Sequence, residues 1–131
     1  MIDPFKVQIR FADIDVMGHV NNAVYLSYFE MARVHYFKQI LSENWDWQND
    51  GVLLVRNEVD YLVPIFLHDT PEIKINVEHI GSKSFTLNYK IIVGNKLVTR
   101  GKSIMVCFNN MEKSTQEIPE KMKLKLSEFL T

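Results

Sequence analysis

Cysteine is nearly absent from this chain. A single Cys107 among 131 residues excludes an intramolecular disulfide, so stability must come from a packed core, and a reducing, cytoplasmic setting is expected. Glycine and proline are also sparse, at 5 and 4 residues. No Gly-rich phosphate loop, no Gly-x-Ser-x-Gly elbow and no flexible linker can be built from them as they are spaced. An excess of one charge is lacking: 15 basic residues stand against 16 acidic ones, interspersed, for a net charge of −1. Neither nucleic acid nor an anionic membrane surface is therefore expected as a partner. No apolar run approaches the roughly 20 residues that span a bilayer, and the opening MIDPFKVQIRF has no apolar signal-peptide core. His35, His68 and His79 are scattered singly, without metal-ligand spacing. No metal or cofactor is expected.

What is present is a chain with 47% hydrophobic and 24% charged residues, ordinary for a globular protein. Residues 1–131 read as one domain, long enough to bury roughly two-thirds of the unfolded surface.

Phe5 to Ala12 alternates, with Phe5, Val7, Ile9 and Phe11 on one face, and predicts a half-buried strand. Ala12 to Asn22 is a loop, and Asn21 or Asn22 can cap the helix after it. From Ala23 to about Leu41 there is no Pro or Gly, and Tyr25, Phe29, Ala32, Tyr36 and Ile40 recur at helical steps. Leu26, Phe37 and Leu41 widen that face, so the helix needs burial on more than one side.

Ser42 to Gly51 is polar, with Trp45 and Trp47 to anchor it. Four strands then follow. Val52 to Val63 puts Leu53, Val55, Asn57, Val59, Tyr61 and Val63 on one face, and Pro64 ends it or marks a bulge. Thr70 to Ile80 turns at Gly81-Ser82-Lys83 into Ser84 to Val93. Gly94-Asn95 is a two-residue hairpin signal leading into Lys96 to Phe108, where Val98, Ile104, Val106 and Phe108 form one set. Ile118 to Leu130 reads as a short amphipathic helix carrying Met122, Leu126, Phe129 and Leu130. The fold class is α+β: a long central helix wrapped by a curved antiparallel sheet of about five strands, plus a short C-terminal helix.

Chemistry concentrates ahead of the long helix. Asp13 and Asp15 are expected to point to opposite sides of the loop ahead of the helix. One faces inward, and the other solvates or braces the loop. A carboxylate near a helix N-terminus stays ionised at neutral pH. It can act as general base or nucleophile, and free N–H groups of the first turn can stabilise an oxyanion. Most such aspartates are simply caps.

The longer string adds to this. Asp13-x-Asp15-x-x-Gly18-His19-Val20-Asn21-Asn22-x-x-Tyr25-x-x-Tyr28-x-Glu30-x-Ala32-Arg33 resembles the active-site segment of the hotdog-fold acyl-CoA thioesterases, most closely the 4-hydroxybenzoyl-CoA thioesterase type. Val59-Asp60-Tyr61-Leu62-Val63-Pro64 and Gly81-Ser82-Lys83-Ser84-Phe85 are similar to two further family stretches. The Asp-x-Asp-Val-x-x-His-Val-Asn-Asn run is also similar to acyl-ACP thioesterases, although Met17 stands where those have Asn.

The resemblance implies a thioester hydrolase cleaving acyl-CoA to acid and CoA. Asp15 is its catalytic carboxylate, the backbone N–H of Asn22 polarises the carbonyl, and His19 is a candidate partner. Gly18, Asn21, Tyr25, Asn57 and Lys83 are the substrate-binding candidates, with Lys83 directed at CoA phosphates and Arg56, Arg100 and Lys102 behind it. Glu30 is the fallback carboxylate. Assembly as a homodimer, with pairing into a dimer of dimers, is implied too. The alternatives are an acyl-ACP thioesterase, a hotdog dehydratase or hydratase, and a non-catalytic acyl-CoA-binding module.

Overall fold

The computed structural model describes residues 2–131. In chain order it has β1 (Phe5–Lys6), a 3₁₀ turn (Phe11–Asp13), α1 (Val24–Ile40), β2 (Gly51–Tyr61), β3 (Glu72–Ile80), β4 (Ser84–Val93), β5 (Lys96–Asn109), β6 (Ser114–Thr115) and α2 (Glu120–Ser127). The sheet runs β1-β3-β4-β5-β2, with β6 paired to β5. β1 pairs antiparallel with β3, Phe5 opposite Ile73. Gly94 and Asn95 both take positive φ, at 53° and 68°. These are the dihedrals of a tight hairpin turn whose twist matches the strands it joins.

By contact density the chain divides into two compact units. One comprises the N-terminal segment to Tyr36, Val59–Ile75 and Tyr89–Gly101; the other comprises Phe37–Glu58, Asn76–Asn88 and Lys102–Thr131.

The core of the first unit is aromatic. Tyr25, Tyr28, Phe29, Ala32 and Tyr36 of α1 are buried, as their helical spacing predicts. The Phe29 ring stacks on Tyr89 with centroids 4.1 Å apart and planes 11° from parallel. Gly101 makes that stack possible, because a Cβ there would lie 2.5 Å from Phe29 Cζ and 3.3 Å from Tyr89 Cδ2. Gly101→Ala is expected to force the ring pair apart and cost about 1–3 kcal/mol. Urea unfolding should show this as a lower midpoint at unchanged slope. Beside the stack, Arg33 is buried and donates to the Tyr89 hydroxyl at 2.9 Å. Glu30, the fallback carboxylate, is exposed and 3.9 Å from the Arg33 guanidinium.

The second unit holds the end of α1, where Phe37 meets Phe85 and Trp47 edge-on at centroid distances of 6.3 and 5.9 Å. Trp45 Nε1–H donates to the Asp50 carbonyl. Met122 and Leu126 of α2 are fully buried, with Cys107 Sγ 3.9 Å from the Met122 sulfur. Burial pushes the Cys107 thiol up to about 11.

Four local expectations are corrected. The first strand is only two residues long. Asp13 N–H donates to the Arg10 carbonyl, and Asp13 Oδ2 accepts from Arg10 N–H. The chain therefore coils into a 3₁₀ turn and leaves Phe11 84% exposed. In β2, Leu53 and Val55 are exposed rather than inward, because β2 is the end strand of the sheet. In β5 the buried set is Gly101, Ser103, Met105 and Cys107, and Ile104, Val106 and Phe108 are only half-buried. Successive burial of Val98 and Thr99 shifts the alternation by one, placing the small residue where the aromatic pair needs room. In α1, Leu26 is exposed together with Met31 and Val34.

Candidate active site

Residues 14–20 form a small hairpin of their own. Ile14 pairs antiparallel with Val20, Asp15 N–H donates to the His19 carbonyl at 2.8 Å, and Gly18 N–H returns to the Asp15 carbonyl at 3.0 Å. Gly18 takes φ +80°, the left-handed conformation that glycine adopts without strain. The hairpin is clipped to the segment after β2: Val20 N–H donates to the Ile65 carbonyl, His19 pairs with Phe66, and their rings meet edge-on at 5.1 Å.

The two aspartates have opposite environments, as expected, but spacing is not the cause: an extended strand would put residues two apart on one face, and the 3₁₀ turn that ends at Asp13 breaks that alternation. Asp13 is the inward one, 3% exposed. It accepts the Tyr28 hydroxyl at 2.7 Å, Arg10 N–H at 3.0 Å and the Arg10 guanidinium at 3.4 Å. Burial pushes its carboxyl up, but these donors and the Arg10 charge outweigh burial and hold it below the ordinary value. The same contact works the other way on Tyr28, whose hydroxyl is raised first by burial and then by Asp13.

Asp15 is half-buried on the hairpin. Its Oδ1 accepts from Met17 N–H at 2.9 Å and His19 N–H at 3.3 Å. Among the described residues no donor reaches Oδ2. The carboxylate is thus held by one oxygen and presents the other. Val16 and Met17 beside it are 99% and 72% exposed, an apolar rim to the carboxylate.

The helix start follows directly. Asn21 N–H donates to the Asp13 carbonyl at 2.8 Å, which ties the helix entry to the buried aspartate. The Asn21 side chain caps the helix by accepting Ala23 N–H at 2.9 Å. Among the described residues Asn22 N–H has no protein acceptor, so it is one of the unsatisfied donors of a helix N-terminus. The Asn22 carbonyl accepts the Tyr61 hydroxyl at 2.9 Å, and the Tyr61 ring stands edge-on to Tyr25 at 4.8 Å. Tyr25 is buried, and burial, the largest cause, raises its hydroxyl pKa.

Asp15, Gly18, His19, Asn21, Asn22 and Tyr25 therefore lie in the first unit, around one hairpin and one helix start. Asn57 and Lys83 lie in the second. The Asn57 oxygen accepts from Ser103 Oγ at 2.6 Å, and Lys83 is exposed at the β3–β4 turn. Arg56 and Lys102 are engaged by Glu58 and Glu78 at 2.7 and 2.9 Å. Sequence reading missed two parts of the site. Tyr28 as the Asp13 partner was in reach, since Tyr28 follows Tyr25 by one helical turn and a buried hydroxyl needs an acceptor. Tyr61 on the Asn22 carbonyl had no local signal, because 39 residues separate the two. Among the described residues no group of three or more His, Cys, Asp or Glu could hold a metal ion. No helix among them is long and apolar enough to cross a membrane.

Comparison with known proteins agrees with this geometry at the level of family. Residues 9–126 match the thioesterase-like superfamily. A thioesterase from Thermus thermophilus, solved in complex with coenzyme A and zinc, superposes with a TM-score of 0.85 at 31% identity, covering 97% of this chain and 92% of its own. The 1,4-dihydroxy-2-naphthoyl-CoA hydrolase of Synechococcus elongatus is 25% identical over 91% of this chain and 90% of its own length. An uncharacterised Bacillus subtilis protein, YsmA, is 34% identical over 64% of this chain, a match that spans 56% of YsmA. With sequence match and superposition both extending over nearly the whole chain, the protein belongs to the thioesterase-like superfamily and has the hotdog fold.

Proposed function

We propose that this chain hydrolyses acyl-CoA thioesters to the free acid and CoA, at Asp15 and the helix start. The observation that carries the reading is the division of labour at Asp15: one oxygen is fixed by two backbone donors, and the other is uncommitted beside a helix start with a spare N–H. In this mechanism the thioester oxygen accepts from Asn22 N–H, where the helix dipole adds to the pull on the developing oxyanion. Asp15 takes a proton from water as water attacks the carbonyl carbon, or attacks that carbon itself to give an anhydride that water then opens. In the first route the C–S bond breaks as Asp15 returns the proton to the leaving sulfur; in the second it breaks as the anhydride forms, and CoA leaves as the thiolate and takes its proton from solvent. The family supports thioester hydrolysis, and the names of the CoA-complexed and CoA-hydrolase relatives favour CoA as the carrier.

His19 serves this site through its backbone, whose N–H and carbonyl both bond Asp15, and its ring lies against Phe66. Gly18, Asn21 and Tyr25 shape the acyl side. Lys83 is the cation for the CoA phosphates, since it is exposed and forms no ion pair among the described residues, in contrast to Arg56 and Lys102. Assembly through β2 completes the reading. This end strand carries exposed Leu53, Leu54 and Val55, an edge that pairing with a second copy would cover.

The direct test is thiol release from short, medium, long and aromatic acyl-CoAs, with acyl-ACP alongside. Turnover of one CoA class at physiological rates is expected. Turnover of acyl-ACP alone would reassign the carrier, and tight binding of acyl-CoA without turnover would make the chain a binding module. Sedimentation equilibrium is expected to give at least a dimer.

A further inference from the structure

A base works at full rate only when its free oxygen is aimed, and Asp15 is aimed through its other oxygen. Asp15 Oδ1 accepts from two amides of its own hairpin, Met17 N–H at 2.9 Å and His19 N–H at 3.3 Å. Fixing Oδ1 fixes the rotation of the carboxyl about its Cβ–Cγ bond, and with it the direction of Oδ2. The Met17 amide lies in the loop between the two short strands. The His19 amide comes from the returning strand, which is itself anchored: the His19 carbonyl accepts Asp15 N–H, and Val20 N–H donates to the Ile65 carbonyl. His19 N–H is therefore the contact that ties the carboxyl to the rest of the first unit.

That N–H belongs to the Gly18–His19 peptide, a rigid plane whose direction is set by the Gly18 dihedrals. The φ of +80° at Gly18 aims the donor directly. Val16, Met17 and Gly18 form a three-residue hairpin loop, closed by Gly18 N–H on the Asp15 carbonyl at 3.0 Å. Loops of this length close with a left-handed residue in the last place. Space is not the reason for glycine here. A Cβ built on Gly18 meets nothing within 4 Å, whereas one on Gly101 would strike the Phe29 ring. The demand is on the dihedral alone. A residue with a Cβ populates the left-handed region roughly 5- to 30-fold less, asparagine being the most tolerant and β-branched residues the least.

We infer that Gly18 is a positioning residue for the reaction: its left-handed φ carries the His19 N–H onto Asp15 Oδ1 and so directs Oδ2 at the reacting atom. The inference rests on the proposed role of Asp15. With a negative φ at position 18 the Gly18–His19 peptide swings away from Oδ1, and the Met17 amide alone holds the carboxyl. Oδ2 then samples directions that do not reach the water or the carbonyl carbon. Substrate still binds, so the loss appears in kcat rather than in KM.

Gly18→Asn, Gly18→Ala and Gly18→Val vary the dihedral preference without crowding a neighbour. With decanoyl-CoA and benzoyl-CoA as probes, kcat is expected to stay within about twofold in Gly18→Asn and to fall roughly tenfold in Gly18→Val, with Gly18→Ala between them and KM within about twofold throughout. Amide hydrogen exchange at His19 is expected to quicken in the same order. Exchange in the middle of α1 and the sedimentation mass are expected to match the native protein. Equal losses in the three variants would show that the glycine serves by contact and not by φ, and would overturn the inference. Native kcat in Gly18→Val, a KM effect without a kcat effect, or a lower assembly mass that accounts for the lost rate would each do the same. So would a His19 amide as protected in Gly18→Val as in the native chain. If Gly18→Val does not fold, the order of Gly18→Asn and Gly18→Ala decides in the same way. Asp15→Asn, run beside the series, separates the two levels. Native rates in that variant would sink the proposed site, and His19 exchange across the Gly18 series would still report whether the dihedral aims the donor.

Discussion

Replacing Asp15 with asparagine is expected to lower kcat for thioester hydrolysis by roughly 10²–10⁴, the range a positioned base supplies, with the fold intact. Asparagine keeps an oxygen where Oδ1 accepts from Met17 and His19, so the hairpin has no reason to open. What is lost is the charge and the basicity of the second oxygen. KM is expected to stay within about twofold, because the removed interaction acts in the transition state. The unfolding midpoint should not move. Unchanged turnover would place the carboxylate elsewhere, and Glu30→Gln would then be the next variant. A single turnover in ¹⁸O-water separates the two routes open to Asp15: label in the carboxylate marks nucleophilic attack, and label in the product acid alone marks general-base hydrolysis.

The second large effect is on stability. Asp13→Ala is expected to cost about 3 kcal/mol at pH 7, since it leaves the buried Tyr28 hydroxyl and the Arg10 amide without their charged acceptor. Tyr28→Phe should cost less, because the Arg10 amide and guanidinium still hold Asp13. The Asp13 cost depends on pH, with a definite sign. Its folded-state pKa is lowered, so its contribution is full above the unfolded carboxylate value of about 4 and is lost as pH falls through the folded value. Urea midpoints of the native chain and of Asp13→Ala should differ widely at neutral pH and converge on acidification. A gap that stays constant down to strongly acidic pH would show that Asp13 contributes by packing and not as an anion. Activity should fall in Asp13→Ala as well, because the turn that carries the Asp13 carbonyl, the acceptor of Asn21 N–H, loses the side-chain contacts to Arg10 and Tyr28 that hold it.

Several features were legible because they depend on neighbours in sequence. The long helix follows from the absence of Pro and Gly between Ala23 and Leu41 and from the spacing of Tyr25, Phe29, Ala32, Tyr36 and Ile40, all buried. The Gly94-Asn95 turn is local backbone chemistry and forms with positive φ at both residues. The cap at Asn21 follows from its position before the helix. Alternation alone misjudged β5, because it cannot say which of two apolar sets meets an aromatic stack. Only the requirement that Phe29 and Tyr89 leave no room for a Cβ at Gly101 makes the set with the small residues the buried one. It also misjudged β2, since whether a strand is an edge is a property of the sheet and not of the strand.

The sequence by itself determined the α+β class, the place of the helix, the hairpin turns and a carboxylate ahead of a helix N-terminus. Each is set by dihedral preference, periodicity or a cap within a few residues. Tertiary structure alone decided which aspartate is buried and which is presented. The Tyr28 hydroxyl draws in Asp13 from 15 residues away and leaves Asp15 at the surface of its hairpin. It alone also brought Tyr61 onto the Asn22 carbonyl across 39 residues. A hydrogen bond needs two groups within about 3 Å, and over such separations only the packed fold sets that distance.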